Sequence, residues 1–407
     1  MTSSNATAPI PAAGLPALQR ALAESGLDAW LLYDFHGQNP TAVSAAGLEG
    51  HMLTRRWFYL VPARGEAVAL VHAIELGSFP PELPGRRERY ASWASLREAL
   101  ARLLGALPAG AKVAMEYFPE GAIPYLSRVD AGTLELVRSF GVEVVSSAEL
   151  VQRFLCRWDA AQVASHERAL LAIDAAKDAA FERIGDAQRR GETLLETDVQ
   201  RFLMERFAEA DLETDHPPIV AVNGHAGDPH YAPSERTPTP IRPGDMVLID
   251  LWARGRGPRD VYADITWVAY CGDRPPERLE QIFRVTVGGR DAGLSALERA
   301  HREGRTLEGW QVDRVVRDHI AAAGLGDRFV HRTGHSIGRS VHGDGANLDD
   351  LETHDTRRLV PGLAFSIEPG VYLPEEGLGV RSEIDVFLAD DGPKVFSKIQ
   401  RELVRIR

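Results

Sequence analysis

Apolar residues recur at two spacings along this chain, and the balance between them shifts part-way through. In the first 150 residues short apolar runs stand apart: 28-DAWLLYD-34, 57-WFYLV-61, 67-AVALVHA-73, 112-KVAME-116 and 142-VEVVS-146. Runs of this length predict strands. Between several of them the spacing is helical, as in the stripe Leu15, Leu18, Leu22 and in 95-SLREALARLL-104. Strand and helix in alternation predict an α/β domain. Residues 1–14, small and Pro-containing, are expected to be loose.

From Ala160 to about Gly185 the pattern predicts one long helix, with Leu170, Ile173, Phe181 and Ile184 on a common stripe. The stretch 193-TLLE-196 reads as a capping box, with Thr193 as cap and Glu196 reaching back. Val199, Leu203 and Phe207 continue that helix's apolar face, and a third helix carries Val312, Val315, Val316 and Ile320 before stopping at Gly324. Gly/Pro-rich strand segments lie between and after these helices. The second half is therefore expected to be α+β, with the boundary at 150–160. A chain of 407 residues exceeds the size at which single cores stop growing, which agrees with two domains.

Composition narrows the function. Apolar residues make up 44% and charged residues 26%, values of an ordinary globular protein, and the formal charge is −12. Such a surface repels phosphate backbones and anionic membranes, so neither nucleic acid nor lipid is an expected partner. The two cysteines, Cys156 and Cys271, form no disulfide framework and lack the spacing of a thiolate metal site. They read as reduced, buried thiols. The first residues show no basic segment followed by an apolar one, and no apolar run approaches the ~20 residues of a membrane span. A cytoplasmic location is the expectation. Phosphate-cradling glycine motifs are absent from the first half.

One long-range echo points to a site. The segments 243-PGDMVLID-250 and 361-PGLAFSIE-368 both begin with a Pro-Gly turn, continue as an extended run and end on a carboxylate seven residues after the proline. A second acid follows each, Asp264 fourteen residues after Asp250 and Glu383 fifteen after Glu368. The expectation is two copies of a strand–turn–strand unit, each presenting two acids. Taken singly, any of the four reads as solvated surface. Converging among Val, Leu, Ile and Phe they would be prohibitively costly without cations. Four carboxylates and an imidazole suit a pair of divalent ions about 3.5–4 Å apart.

The imidazole is sought in 332-RTGHSIGRSVHG-343, where glycines let the backbone pass close to a metal or substrate. His335 is the candidate ligand, and His342 meets the same cavity without needing to touch the metal. His331 and His230, in 229-PHY-231, are also suggestively placed, whereas His225 and His301 read as ordinary.

Taken in order, 229-PHY-231, Asp250, 263-ADIT-266, 334-GHSIG-338 with His342, 366-SIEPGVY-372 and 379-GVRSE-383 resemble the metal-dependent branch of the pita-bread-fold peptidases. That superfamily includes Xaa-Pro aminopeptidases, prolidases, methionine aminopeptidases and creatinase. The resemblance implies a creatinase-like α/β N-terminal domain over 1–155 and an α+β pita-bread catalytic domain over 156–407, with an internal pseudo-two-fold. It implies that Asp250, Asp264, His335, Glu368 and Glu383 ligate two divalent ions, with Mn2+ favoured and Co2+ or Zn2+ as alternatives. Glu368 would also be the general base. His342 would steady the substrate carbonyl, His230 would stand on the leaving-group side, and His331, Tyr372 and Arg381 would contact substrate or support the ligands. The implied substrates are small Xaa-Pro peptides, and the implied assembly is a homodimer. Trp57, Arg55 and Arg56 are cross-subunit candidates on that account, although 55-RRWFY-59 reads more simply as a strand.

The departures from the pattern concern the pocket. The Asp250–Asp264 interval is long, Thr266-Trp267-Val268 stands where T-R-T is common, and Ser382 stands where R-I-E has isoleucine. The short interval between Glu368 and Glu383 omits an insertion of some prolidases. The expectation leans to an Xaa-Pro dipeptidase, with an Xaa-Pro aminopeptidase acting on longer peptides as the alternative. A methionine aminopeptidase would not need the N-terminal domain, and a metal-free creatinase-like hydrolase or a non-catalytic binding module would not need all five ligands.

Overall fold

Burial on both faces explains the strands of the first half. In the computed structural model, which describes Ile10 and residues 14–407, the chain parts into two compact units between Leu155 and Cys156. The expectation for residues 1–14 lies, Ile10 and Gly14 apart, outside the described residues. The first unit runs α1 (Leu15–Glu24), β1 (Ala29–Asp34), α2 (Pro40–Ala45), β2 (Trp57–Pro62), β3 (Val68–His72), β4 (Arg86–Tyr90), α3 (Trp93–Gly105), β5 (Lys112–Met115), α4 (Ala131–Arg138), β6 (Glu143–Ser146) and α5 (Ala148–Val151). One six-stranded sheet has the order β4-β3-β2-β1-β5-β6. All of it is parallel to its neighbours except β2, which is antiparallel to β1 and β3.

Every residue of β1 and β2 is buried, as the uninterrupted apolar runs require of strands covered on both faces. Trp57 opens β2 fully buried, so 55-RRWFY-59 leads into a sheet strand. Strand β4 is a difference from the sequence reading. Its residues, RRERY, carry almost no apolar signal because it forms a sheet edge, where charged side chains face solvent.

The second unit opens with α6 (Ala160–Arg189), capped by Asp159, whose Oδ1 accepts the Gln162 N–H at 2.9 Å. The expected stripe Leu170, Ile173, Phe181, Ile184 packs with Val199, Leu203 and Phe207 and with Val247, Ile249, Leu251 and Ile265 in one core. Next come β7 (Leu194–Leu195), α7 (Glu196–Glu209), β8 (Leu212–Glu213), β9 (Ile219–Val222) and β10 (Pro240–Ile241). Here the capping assignment is corrected. The helix begins at Glu196, not after Thr193, and it is Asp198 that accepts the Leu195 N–H, at 2.9 Å. Glu196 is instead buried, accepting the Val222 N–H at 2.7 Å and facing His225 Nδ1 at 3.0 Å.

Strands β11 (Met246–Gly255) and β12 (Ala263–Cys271) form an antiparallel hairpin flanked by β9, β8 and β18 (Val404–Ile406). Helix α8 (Glu277–Arg302) went unforeseen. Its buried face starts with Leu279, Ile282 and Phe283 and ends with Ala296, Leu297 and Ala300, but Thr286, Gly289, Arg290 and Gly293 between them break the apolar stripe. The glycines serve close packing: a Cβ on Gly293 would come within 2.9 Å of Val316 Cγ2 on α9 (Gly309–Ala322). The chain closes through β13 (Ala364–Ile367), β14 (Gly370–Leu373), β15 (Leu378–Arg381), β16 (Ile384–Ala389) and β17 (Gly392–Val395). Strand β13 pairs with β16, and β14 with β15.

The echo is thus real but unequal. Both Pro-Gly turns carry a left-handed glycine, Gly244 at φ 92° and Gly362 at φ 93°. The first leads into a direct hairpin. In the second, the short hairpin β14–β15 stands between the two paired strands. Both cysteines are free, and burial raises their thiols above the usual range. Among the described residues no helix is long and apolar enough to cross a membrane.

Candidate metal centre and active site

Register brings the first two acids together. Asp250 faces Thr266 and Trp252 faces Asp264 across β11 and β12, so Asp250, Thr266 and Asp264 share one face of the hairpin. The second pair stands at the ends of β13 and β16. Ile367 faces Ile384, which leaves Glu368 and Glu383 side by side just beyond the ladder. Three bonds tie the halves. Thr266 Oγ1 donates to Glu383 Oε2 at 2.7 Å, the Glu383 N–H reaches Thr266 O at 3.3 Å, and the Asp264 N–H reaches Asp385 Oδ2 at 2.8 Å.

The glycine loop supplies the imidazole. Gly334 bridges to Leu348 and lies so close to β13 that a Cβ would stand 1.9 Å from Ser366 O. That contact puts His335 alongside Ser366. The His335 N–H donates to Ser366 Oγ at 3.0 Å, the Ser366 N–H returns to His335 O at 2.9 Å, and Ser366 Oγ donates to Glu368 Oε1 at 3.0 Å. His335 Nδ1 faces Ser336 O at 3.2 Å, so the proton belongs on Nδ1. The Nε2 lone pair is left to face Glu368 Oε1 at 3.3 Å and Asp264 Oδ2 at 3.5 Å.

The donor set fits divalent cations. Asp264, His335 and Glu383 are all buried and offer ligand atoms within 4.8 Å of one another. Asp264 Oδ1 and Glu383 Oε1 are buried and lack a hydrogen-bond partner among the described residues. Buried carboxylate oxygens without donors are costly, and a hard cation is the partner that such oxygens suit.

Electrostatics tell the same story. Burial raises the carboxyls of Asp264 and Glu383 well above the usual range, and the neighbouring acids raise them further. Asp250 is raised by burial and by Glu368, against the pull of Arg381, whose Nη2 lies 2.5 Å from Asp250 Oδ2. Glu368 behaves differently. Burial would raise it, but His335, His331 and Arg381 outweigh that and hold it below the usual range. Burial in turn lowers both imidazoles, His331 to about 4, against the pull of Glu368.

A polar chain backs the acids. Arg381 Nη1 donates to the Tyr372 hydroxyl at 3.0 Å, and that hydroxyl lies 2.8 Å from His331 Nε2. His331 Nδ1 faces Arg332 O at 2.7 Å, so Nδ1 carries the proton and Nε2 accepts from Tyr372.

Of the residues singled out from the sequence, Asp250, Asp264, His335, Glu368, Glu383, His331, Tyr372 and Arg381 thus form one connected group. His342 stands at its exposed rim, its ring edge-on to His335 at 4.4 Å between centroids. His230 does not join the group. It is exposed, and its backbone N–H bonds Asp228 Oδ1 at 3.1 Å. Sequence reasoning missed Thr266, Ser366 and Asp385. Thr266 and Ser366 lie within the quoted motifs and Asp385 just beyond the last of them, each two residues from a candidate ligand, which on a strand means the same face.

Comparison with known proteins adds the following. The family model described as "Metallopeptidase family M24" matches residues 166–390. An "Uncharacterized peptidase YqhT" of Bacillus subtilis is 30% identical over 265 residues, covering 64% of this chain and 69% of the relative. An "Xaa-Pro dipeptidase" of Lactobacillus delbrueckii subsp. lactis is 31% identical over 226 residues, 56% of each. The chain therefore spans about half to two thirds of the length of these curated relatives. The crystal structure of dipeptidase PepE from Mycobacterium ulcerans is 24% identical with a TM-score of 0.73, covering 97% of both chains. At that identity the likeness concerns the fold alone.

Proposed function

The chain belongs to metallopeptidase family M24, and from that premise we propose that it is a dimetal-dependent exopeptidase that hydrolyses Xaa-Pro bonds, with Xaa-Pro dipeptides as its main substrates. The observation that carries the reading is the buried group Asp264, His335 and Glu383, with two orphaned carboxylate oxygens and with Asp250 and Glu368 beside it. The name of the Lactobacillus relative supports the substrate class.

Asp250, Asp264, His335, Glu368 and Glu383 would hold two divalent ions, with Mn2+ favoured by the oxygen-rich set and Co2+ or Zn2+ as alternatives. When bound, such ions would supply a water acidified towards neutrality and a polarised scissile carbonyl. The protein's own groups do the rest. Glu368, held below the usual carboxylate range, is ionised at neutral pH and takes the proton of the attacking water. It then passes that proton to the proline nitrogen as the amide breaks. His342, exposed at the rim beside His335, donates a ring N–H to the carbonyl oxygen as charge forms there. Arg381 holds Asp250 in place, and Tyr372 and His331 hold Arg381 and the pocket wall behind it. His230, on its exposed segment, would need to swing towards the leaving group when substrate binds.

A homodimer is part of the proposal. Of the eight exposed large apolar side chains among the described residues, Phe35, Met52, Ile74, Leu76 and Trp93 belong to the first unit. Phe35, Ile74 and Leu76, and Trp93 follow β1, β3 and β4, and Met52 precedes the antiparallel β2, so all five gather at one end of the sheet. Exposed apolar side chains grouped at one end of a sheet are the kind of surface that protein contacts cover. A species of single-chain mass by light scattering across micromolar concentrations would count against it.

The direct test is metal-stripped protein, reloaded with Mn2+ and assayed on Ala-Pro and Ala-Pro-Ala. Cleavage of Ala-Pro alone supports the dipeptidase, and cleavage of the tripeptide alone makes it an aminopeptidase. Metal uptake without cleavage of either would refute the Xaa-Pro assignment while leaving the metal centre standing.

A further inference from the structure

Helix α8 carries a cation into the floor beneath the acids. Arg290 is fully buried, and its Nε and Nη2 hold Asp291 Oδ1, on the next residue of the chain, at 2.9 and 2.7 Å. Its remaining terminal nitrogen, Nη1, donates to Ser382 Oγ at 2.7 Å. Ser382 is fully buried too and stands between Arg381, which grips Asp250, and the acid Glu383. The Ser382 N–H reaches Pro369 O at 3.3 Å, and Pro369 directly follows Glu368. One serine therefore joins the point where Glu368 leaves β13 to the point where Glu383 approaches β16, and Arg290 anchors that joint to a helix.

The anchor is firm. On the same helix, Gly293 leaves room only for close contact: a Cβ there would lie 2.9 Å from Val316 Cγ2 and 3.5 Å from Ile367 Cγ2, the residue before Glu368. Burying a guanidinium is expensive unless its donors are met. Ser382 Oγ is the acceptor that meets Arg290 Nη1, and a side chain without an oxygen at position 382 would leave that nitrogen unmet.

We propose that Arg290 is a positioning residue of the metal centre, acting through Ser382 to set where Glu368 and Glu383 present their carboxylates. It touches neither metal nor substrate. The inference rests on the reading of the site as a divalent-metal centre. Partners that orient metal ligands from behind are commonly worth about 10–100-fold in metal affinity.

The test is calorimetric titration of Mn2+ into the metal-stripped full chain, with circular dichroism and thermal melts to establish folding. Arg290→Met and Ser382→Ala should each weaken Mn2+ binding by about tenfold or more. Because both break the same contact, the double variant should be no weaker than Arg290→Met alone. If Arg290→Met fails to fold, Ser382→Ala carries the same expectation. Folded variants that melt lower yet bind Mn2+ like the wild type would reduce the pair to core packing and overturn the inference, as would additive losses in the double variant. Wild-type protein that takes up no Mn2+ would instead remove the metal-centre reading, and this inference with it.

Discussion

Glu368 accepts the Ser366 hydroxyl at 3.0 Å and faces His335 Nε2 at 3.3 Å, and it is the acid of the centre held below the usual carboxylate range. Asp250, Asp264, Glu383 and Asp385 are all raised. Being ionised, Glu368 has a lone pair open to a proton, whereas its raised neighbours tend to be protonated already when no cation is bound. Replacing it by glutamine keeps the shape and removes that capacity. Glu368→Gln should therefore lower turnover on Ala-Pro by roughly a hundredfold or more while the far-ultraviolet spectrum stays unchanged. A near-normal rate would sink its assignment as base. Tyr372 makes a different prediction. Its hydroxyl accepts from Arg381 and donates to His331, so Tyr372→Phe leaves a buried donor and a buried acceptor unmet. The expected loss is about 1–3 kcal/mol of stability in urea denaturation. The signal for these residues was legible because each acid follows a marked turn or sits in a short motif. His230 was chosen by motif alone, and its exposure and hydrogen bonding lie outside what a tripeptide records.

Elements were legible in proportion to the contrast between their faces. Strands β1 and β2 and helix α6 announce themselves through unbroken or periodic apolar residues. Helix α8 does not, because its apolar stripe, Leu279, Ile282 and Phe283 at one end and Ala296, Leu297 and Ala300 at the other, is interrupted by Thr286, Gly289, Arg290 and Gly293, which hydrophobic periodicity counts as polar or neutral. The capping pattern at 193-TLLE-196 misled for a related reason. Glutamate three residues after threonine is a local signature, but Glu196 found better partners in Val222, His225 and Tyr231, all more than twenty residues away. The loop that carries His335 depends on Gly334, whose place any Cβ would contest with Ser366 O at 1.9 Å. Gly334→Ala should push that loop off β13, lower the melting temperature by the equivalent of about 1–3 kcal/mol, and weaken Mn2+ binding. An alanine variant with native stability and native Mn2+ affinity would show that the loop has room to move.

Taken together, the acids should tie the protein's stability to pH and to the divalent cations proposed for the centre. The carboxyls of Asp264 and Glu383 are raised in the fold, first by burial and then by one another. A raised folded pKa means the fold binds the proton more tightly than the unfolded chain does. The stability this contributes is full below the unfolded value, about 4, and is lost as pH rises through the folded values. Glu368, lowered in the fold, has the opposite sign and loses its contribution as pH falls. The raised acids outnumber it, so chelated protein should melt progressively lower as the pH is taken from about 5 to 8. Added Mn2+ should reverse the trend at the upper end, by about 2.7 kcal/mol at a hundredfold excess over its dissociation constant. Melting temperatures with and without chelator across that range check it. A chelated protein whose melting is indifferent to pH would mean that the four acids are not pressed together as the geometry indicates.

The kinds of candidate ligand, their order along the chain and the Pro-Gly turns that precede two of them are written locally, because a turn, a strand and the acid at its end lie within eight residues of one another. So is the α/β character of the first half, since burial on both faces of a strand demands a continuous apolar run. What the folded chain adds is the set of contacts between distant segments. Thr266 meets Glu383 across 117 residues, and Arg381 meets Asp250 across 131. No periodicity encodes such pairs, because each depends on the register of two ladders and on how closely α8 and the glycine loop approach them. Packing alone turned Glu196 inward, left His230 in solvent, and set Arg290 against the serine that stands between two site residues.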